Sequence, residues 1–489
     1  MSGEMSAHKV DTATPLFAVG TGIIAIAVVI GLSNQAPAEE RHWDERVIQN
    51  HVRFSDFQGH LNSEQFKALR DAGEVLFTGK FTKKDGFGRP KATQAIIPTK
   101  RRQPVRTTFQ RLAGPDANAC TSCHNDPVIG GAGHGTANVF VSEGFTNADF
   151  DSTDPQFSNE RNTNHLMGAG LVELLARELT ADLIHLRQAG LRQARTSNKP
   201  VIVELTTKGI SFGRLTTNPD GTVDLTEIEG IDSDLHVRPF SHKGVFGSIR
   251  QFTINAMNHH HGMQARERFG VRWTGETDFD EDKVEGELSQ GDISALVAWQ
   301  AALAPPTELE PDNEQWAQMK SRGKEQFVQI GCAQCHRPAL PLRSTLFSDP
   351  GPFDAAGTLR ATEVSNKIEY DLADLPWIKA LPRDDNGHLM VPLFSDLKRH
   401  KISDNQVQVF GNELLSQRFV GRDQFQTTEL WGVASTAPYG HRGNLTTLDE
   451  AIRGHAGDAA TARNNYRNLP QSEQQAIIAF LKSLVIRHD

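Results

Sequence analysis

The sequence predicts a mainly α-helical protein of two domains, with a small β-hairpin or sheet insertion in the first. Three observations predict it. Apolar residues recur at three- and four-residue spacing over 62–77, 164–195, 247–270 and 292–303. Three short runs between 201 and 228 alternate like strands instead. The pattern Cys-X-X-Cys-His occurs twice, at 120–124 and 332–336, on either side of the Pro-rich stretch "APPTELEPD" (304–312). At 489 residues the chain exceeds one ordinary core. The Pro-rich boundary divides the body into residues 39–310 and 311–489.

Residues 1–38 stand apart. Leu16 to Leu32 is an uncharged, mostly apolar run of 17 residues, followed by Ala36-Pro37-Ala38, small residues where a signal peptidase reads. The basic flank is weak, because Lys9 and His8 are offset by Glu4 and Asp11. A cleaved leader and an uncleaved membrane anchor both remain open, since 17 residues reach the lower end of a span. Both readings place the body outside the cytoplasm, periplasmic or tethered to the inner membrane.

The helix over 62–77 starts from an N-cap at Asn62 or Ser63 and carries Phe66, Leu69 and Val75. A Gly-, Pro- and basic-rich stretch at 79–106 reads as an extended loop, and its Lys100-Arg101-Arg102 run as a solvated face. In the strand region "NPDG" (218–221) is a turn. Asp220, Asp224 and Glu227 lack the full EF-hand pattern, so a hairpin is preferred there to a calcium loop. The net charge of −9 argues against a nucleic-acid partner.

Cys120, Cys123, Cys332 and Cys335 are the four cysteines of the chain. A shared four-cysteine zinc site would be built from pairs more than two hundred residues apart, unlike a compact zinc module. A redox dithiol or a short disulfide leaves the histidine behind each pair unexplained. Only 19 of 489 residues are histidine, so chance rarely supplies both. Covalent haem needs that histidine: two thioethers hold the porphyrin edge, and the next residue presents imidazole to the iron. Two c-type haems are expected, on Cys120, Cys123 and His124 and on Cys332, Cys335 and His336. Each half is then a cytochrome c-like haem domain.

Longer segments now carry a resemblance. "GKEQFVQIGCAQCHRPAL" (323–340), "PLFSDLKRHKI" (392–402) and "QTTELWGVASTAPYGHRGNLTTLDEAIRGHAG" (426–457) follow in order, with "LFTGKFTKKDGFG" and "LAGPDANACTSCHNDPVIGGAG" before them. Together they resemble the di-haem c-type oxidoreductases of peroxidase type. Distant relatives are bacterial di-haem cytochrome c peroxidases, the methylamine-utilisation di-haem enzyme and rubber oxygenases. The resemblance implies that His455, on the helix after "TLDEAI", is the second axial ligand of the C-terminal haem. That iron then has no open position. His441 matches a recurrent family histidine, although Arg442 stands where the family usually has Asp, and it is expected to contact a propionate or the fold. Tyr439 is expected to pack against the haem environment.

The resemblance also makes the N-terminal haem the reactive one, with distal groups downstream in "NAMNHHHGMQARERFG" (255–270). On an α-helix at 100° per residue, His259, His260 and His261 cannot all face one iron, so one or two are expected to line a pocket. His260, His261 and Glu267 are the candidate acid/base residues, Met263 a candidate ligand, and His134 the alternative distal residue. His165 and His185 read as structural. Trp299 or Trp431 is the candidate aromatic between the haems. The function expected is peroxidase-like, the C-terminal haem relaying electrons from a small redox protein such as a c-type cytochrome or cupredoxin. The alternatives are an O2-dependent oxygenase acting on a hydrophobic substrate, and a non-enzymatic di-haem electron carrier.

Overall fold

The computed structural model describes residues 44–88, 117–133, 136–138, 160–355, 357–411 and 420–487. Glu45–Asp489 forms one compact unit. The expected leader or anchor, the basic run at 100–102 and His134 lie outside the described residues. Among the described residues no helix is long and apolar enough to cross a membrane.

Helix α1 (Ser63–Thr78) begins as its sequence dictates. The Asn62 side chain accepts from the Gln65 N–H while the Gln65 side chain accepts from the Asn62 N–H. Phe66, Leu69, Leu76 and Phe77 are buried on its inner face. Helix α2 (Ala169–Ser197) starts later than its apolar pattern, because Gly168 before it adopts a left-handed φ of 78°. Strands Val201–Thr207, Ile210–Thr217 and Val223–Asp224 form an antiparallel sheet that packs on α2. Its acids serve the turns: Asp220 accepts from Thr222 N–H and Asp224 from Thr226 N–H, both at 2.9 Å, and Glu227 pairs with Arg214 at 2.6 Å.

Helix α3 (Ile249–Ala256) is shorter than its periodicity suggests. It runs into a single π-helical turn at Met257–His261, and Gly262 ends it with φ 71°. Helix α4 (Gln290–Ala301) is apolar all round and buried along most of its length, as a central core helix must be. After the Pro-rich boundary come α5 (Glu314–Gln329), α6 (Leu448–Gly454) and α7 (Gln471–Leu481).

Two helix pairs organise the molecule. Helix α1 packs on α4, and α5 packs on α7. Each pair meets at a glycine: a Cβ on Gly73 would collide with the Ala295 carbonyl, and one on Gly323 with the Ala476 carbonyl. Two of the three apolar clusters among the described residues form around these pairs. The larger includes Leu69, Leu171, Phe212, Leu296, Phe347 and Leu393. The smaller gathers Phe327, Phe394, Phe410, Tyr439 and Phe480. Strands Leu346–Asp349 and Ile368–Asp371, with Gly59–His60 beside the latter, carry chain from beyond residue 310 into the larger cluster.

Candidate functional site

The two Cys-X-X-Cys-His segments fold alike. Cys120–Ser122 and Cys332–Gln334 are each one 3₁₀ turn. The His124 N–H donates to the Cys120 carbonyl, and His336 N–H to that of Cys332, both at 3.0 Å. Phe77 from the last turn of α1 lies 6.2 Å from the His124 ring at 50°. Phe327 from the last turn of α5 lies 6.3 Å from the His336 ring at 51°. The glycine-packed helix, its aromatic and the motif thus occur twice in space. No fixed period marks them in sequence, because the connections from aromatic to motif differ greatly in length.

Three imidazoles are prepared in the same way. His124 Nδ1 faces the Gly131 carbonyl at 3.3 Å, His336 Nδ1 the Phe394 carbonyl at 3.1 Å, and His455 Nδ1 the Ala451 carbonyl at 2.8 Å. A carbonyl only accepts, so each Nδ1 carries the proton and each Nε2 keeps its lone pair. Burial lowers His124 and His336 to about 4, with His455 adding to the effect on His336, and burial lowers His455 too. All three are neutral near pH 7, as metal ligands must be.

His455 caps α6, whose N-cap Thr447 forms a capping box with Glu450. The His336 and His455 ring centres are 6.4 Å apart, at 63°. Two metal–imidazole bonds of about 2 Å, with each ring centre about 1 Å behind its nitrogen, require about 6 Å. The donor set therefore fits one iron between these rings. Redox dithiols have lowered thiol pKa values. Here burial pushes Cys120 and Cys332 up to about 12, Cys123 adding to the shift at Cys120. Among the described residues no cluster of metal-ligating atoms joins the two cysteine pairs.

Both motifs open onto one cavity of about 1240 Å³. Single small-ligand pockets are typically about 300–1,000 Å³. Asn162 Oδ1, His165 Nδ1, Ser241 Oγ, Gln426 Nε2 and Tyr439 Oη are buried without a hydrogen-bond partner, and all five residues line this cavity. Buried polar atoms need partners. A large apolar group with a carboxylate edge suits this wall, so the residues present fit haem.

His441 lines the same space with Phe425 4.5 Å from its ring. Trp431 lines it too, and its carbonyl accepts from His165 Nε2 at 3.2 Å. Trp299 packs behind Phe77 at 4.2 Å and is not on the wall, which separates the two candidate tryptophans.

The histidine turn departs from expectation. All three of His259, His260 and His261 line the cavity. The α-helical 100° step does not apply, because Met257–His261 is a π turn that spreads its side chains differently. His261 is the most constrained: Nδ1 donates to the Ala117 carbonyl and Nε2 lies 3.7 Å from Cys120 Sγ. The His259 and His260 rings meet edge to face at 5.1 Å.

Two sequence-predicted residues are not brought to the cavity. Glu267 is buried against Arg250, at 2.7 and 2.9 Å, and also accepts from the Leu359 N–H. Its carboxylate is consumed by structure. Met263 is fully buried in the larger apolar cluster, because Gly262 turns the chain away. Sequence reasoning also missed two wall residues. His165, read as structural, lines the cavity beside His124, which helps burial lower it to about 4. The partly exposed Glu429 carboxyl opens onto the cavity, and burial raises it to about 7. Its position in "QTTELWGV" was the available signal; its neighbours across the fold were not.

Residues 295–484 match the family model described as "Di-haem oxidoreductase, putative peroxidase". No curated protein matches the chain. Among solved structures, Kuenenia stuttgartiensis hydrazine synthase pressurised with 20 bar xenon is similar at 14% identity and TM-score 0.36, covering 89% of this chain and 94% of that one. A MauG-like protein associated with microbial copper homeostasis is similar at 16% identity and TM-score 0.27, covering 55% of this chain and 77% of that one.

Proposed function

From the relation of residues 295–484 to the di-haem oxidoreductases, we propose that this chain is an exported di-haem c-type oxidoreductase that reduces peroxide. One observation carries the reading: both Cys-X-X-Cys-His segments, His455 and the histidine turn share the walls of one cavity. Cys120 and Cys123 would hold one haem and Cys332 and Cys335 the other, as thioethers. His124 and His336 would each offer an imidazole to their own haem, and His455 a second one to the His336 haem. Bound haem supplies the electron transfer and the activation of the oxidant.

The chain's own residues do the rest. Gly131, Phe394 and Ala451 carbonyls orient the three ligand imidazoles. His260 and Glu429, both on the cavity wall, hold and move protons. Trp431, on the wall of the cavity that both motifs share, offers an aromatic route for electrons delivered by a small redox protein. Residues 16–32 direct the body out of the cytoplasm. A second reading has one observation in its favour: Phe240, Phe246, Phe252, Phe410 and Phe425 make much of the wall apolar, which suits an oxygenase with a hydrophobic substrate. Rapid consumption of O2 with such a substrate, and none of peroxide, would select it.

Protein made with c-type maturation machinery is expected to keep two haems per chain through acidified-acetone extraction, with a mass above the polypeptide by two haems. Zinc, or four free thiols, would overturn the assignment. His455→Ala is expected to turn the His336 haem from low- to high-spin and leave the His124 haem unchanged. An unaltered low-spin spectrum in that variant would remove His455 from the iron.

A further inference from the structure

We infer that the loop "DFDEDKVEGE" (278–287) binds one hard divalent cation, of the calcium class, through the carboxylates of Asp278, Asp280 and Asp282. One oxygen from each lies within 4.8 Å of the other two. Carboxylates that share a calcium at about 2.3–2.6 Å per bond come this close. No sulfur or imidazole is in the set, so softer metals have no preferred ligand here.

Asp280 is the independent observation. It is 0% exposed, and neither of its carboxylate oxygens has a hydrogen-bond partner. The Asp282 N–H, which approaches it, is taken by Asp278 Oδ1 at 3.1 Å. The Asp280 carboxylate therefore faces two other acids. A buried charge without a partner is costly. Among the described residues no lysine or arginine forms an ion pair with Asp278, Asp280, Asp282 or the nearby buried Glu287. The exposed acids at 220, 224 and 227 differ, because each is satisfied by a turn N–H or by Arg214.

The electrostatics agree. Burial, then Asp282 and Asp278, push Asp280 up to about 8. Burial pushes Asp282 up to about 6, and burial with Asp280 holds Glu287 well above the usual carboxylate range.

The loop also backs the histidine turn. Glu287 accepts from the Gln264 N–H at 2.8 Å, and the Leu288 carbonyl accepts from the Arg266 N–H at 3.0 Å. A bound cation would anchor the segment that leaves Gly262. The cation site is separate from the cavity, whose wall includes none of these acids.

The test is calcium bound per chain in the full haem-loaded protein, stripped with chelator and dialysed against calcium chloride, magnesium serving as competitor. The wild type is expected to bind one equivalent more than Asp280→Asn. Asp282→Asn, on a partly exposed side chain, should lose the same equivalent and covers the case in which Asp280→Asn fails to fold. Equal calcium content in wild type and folded variants, or none in the wild type, would overturn the assignment.

Discussion

Replacing His260 and His261 together with alanine is expected to slow peroxide reduction by about 10²–10⁴-fold, the usual contribution of a general acid/base. Haem content and the spectrum of the His336 haem should stay as they were. The π turn brings both imidazoles to the cavity wall, His261 within 3.7 Å of Cys120 Sγ. They are not equivalent. His261 is tied through Nδ1 to Ala117, and the His260 ring meets that of His259 edge to face. The single variants His260→Ala and His261→Ala apportion the loss between the two imidazoles. Activity within about threefold of wild type, below about 1 kcal/mol of barrier, would clear the turn of a role in proton transfer. Glu429→Gln would then be the variant to measure.

Arg250→Met is expected to cost about 3–5 kcal/mol of stability, as removal of one partner from a buried ion cluster does. Arg250 is 1% exposed and binds Glu267 at 2.7 Å, Asp349 at 2.7 Å and Ser294 at 3.0 Å. The variant leaves two carboxylates buried without their cation. Adding Glu267→Gln should recover part of the loss, because the two changes share one network. Denaturant midpoints check both, and a cost below about 1 kcal/mol would show that the cluster relaxes freely. The cluster lies on both sides of the histidine turn, at the start of α3 and just past Gly262. Glu267→Gln alone should destabilise the fold yet keep the rate per folded chain, which separates building the site from acting in it.

These two predictions mark the boundary of what sequence could reveal. The cysteine pairs, their histidines and the α1 cap at Asn62 are local: chemistry or a hydrogen bond specifies them within four residues. The strands at 201–217 and their turn are equally legible, since alternation and turn residues act at short range. His455 was reached through a resemblance, and its partner distance of 6.4 Å depends on residues more than one hundred positions apart. Glu267 and Met263 lie away from the cavity for a related cause. Their identity suited a site, but Gly262 and the buried Arg250 decide where they point.

By itself, then, the sequence determined the helical class, the paired Cys-X-X-Cys-His motifs and the local caps and turns, because each rests on short-range periodicity or spacing. Only the tertiary structure decided that the two motifs share one cavity, that Trp431 rather than Trp299 lines it, and that three histidines reach it from one π turn. Those outcomes depend on close packing between distant segments, such as Gly73 on Ala295 and Gly323 on Ala476, and no window along the chain contains both partners of such a contact.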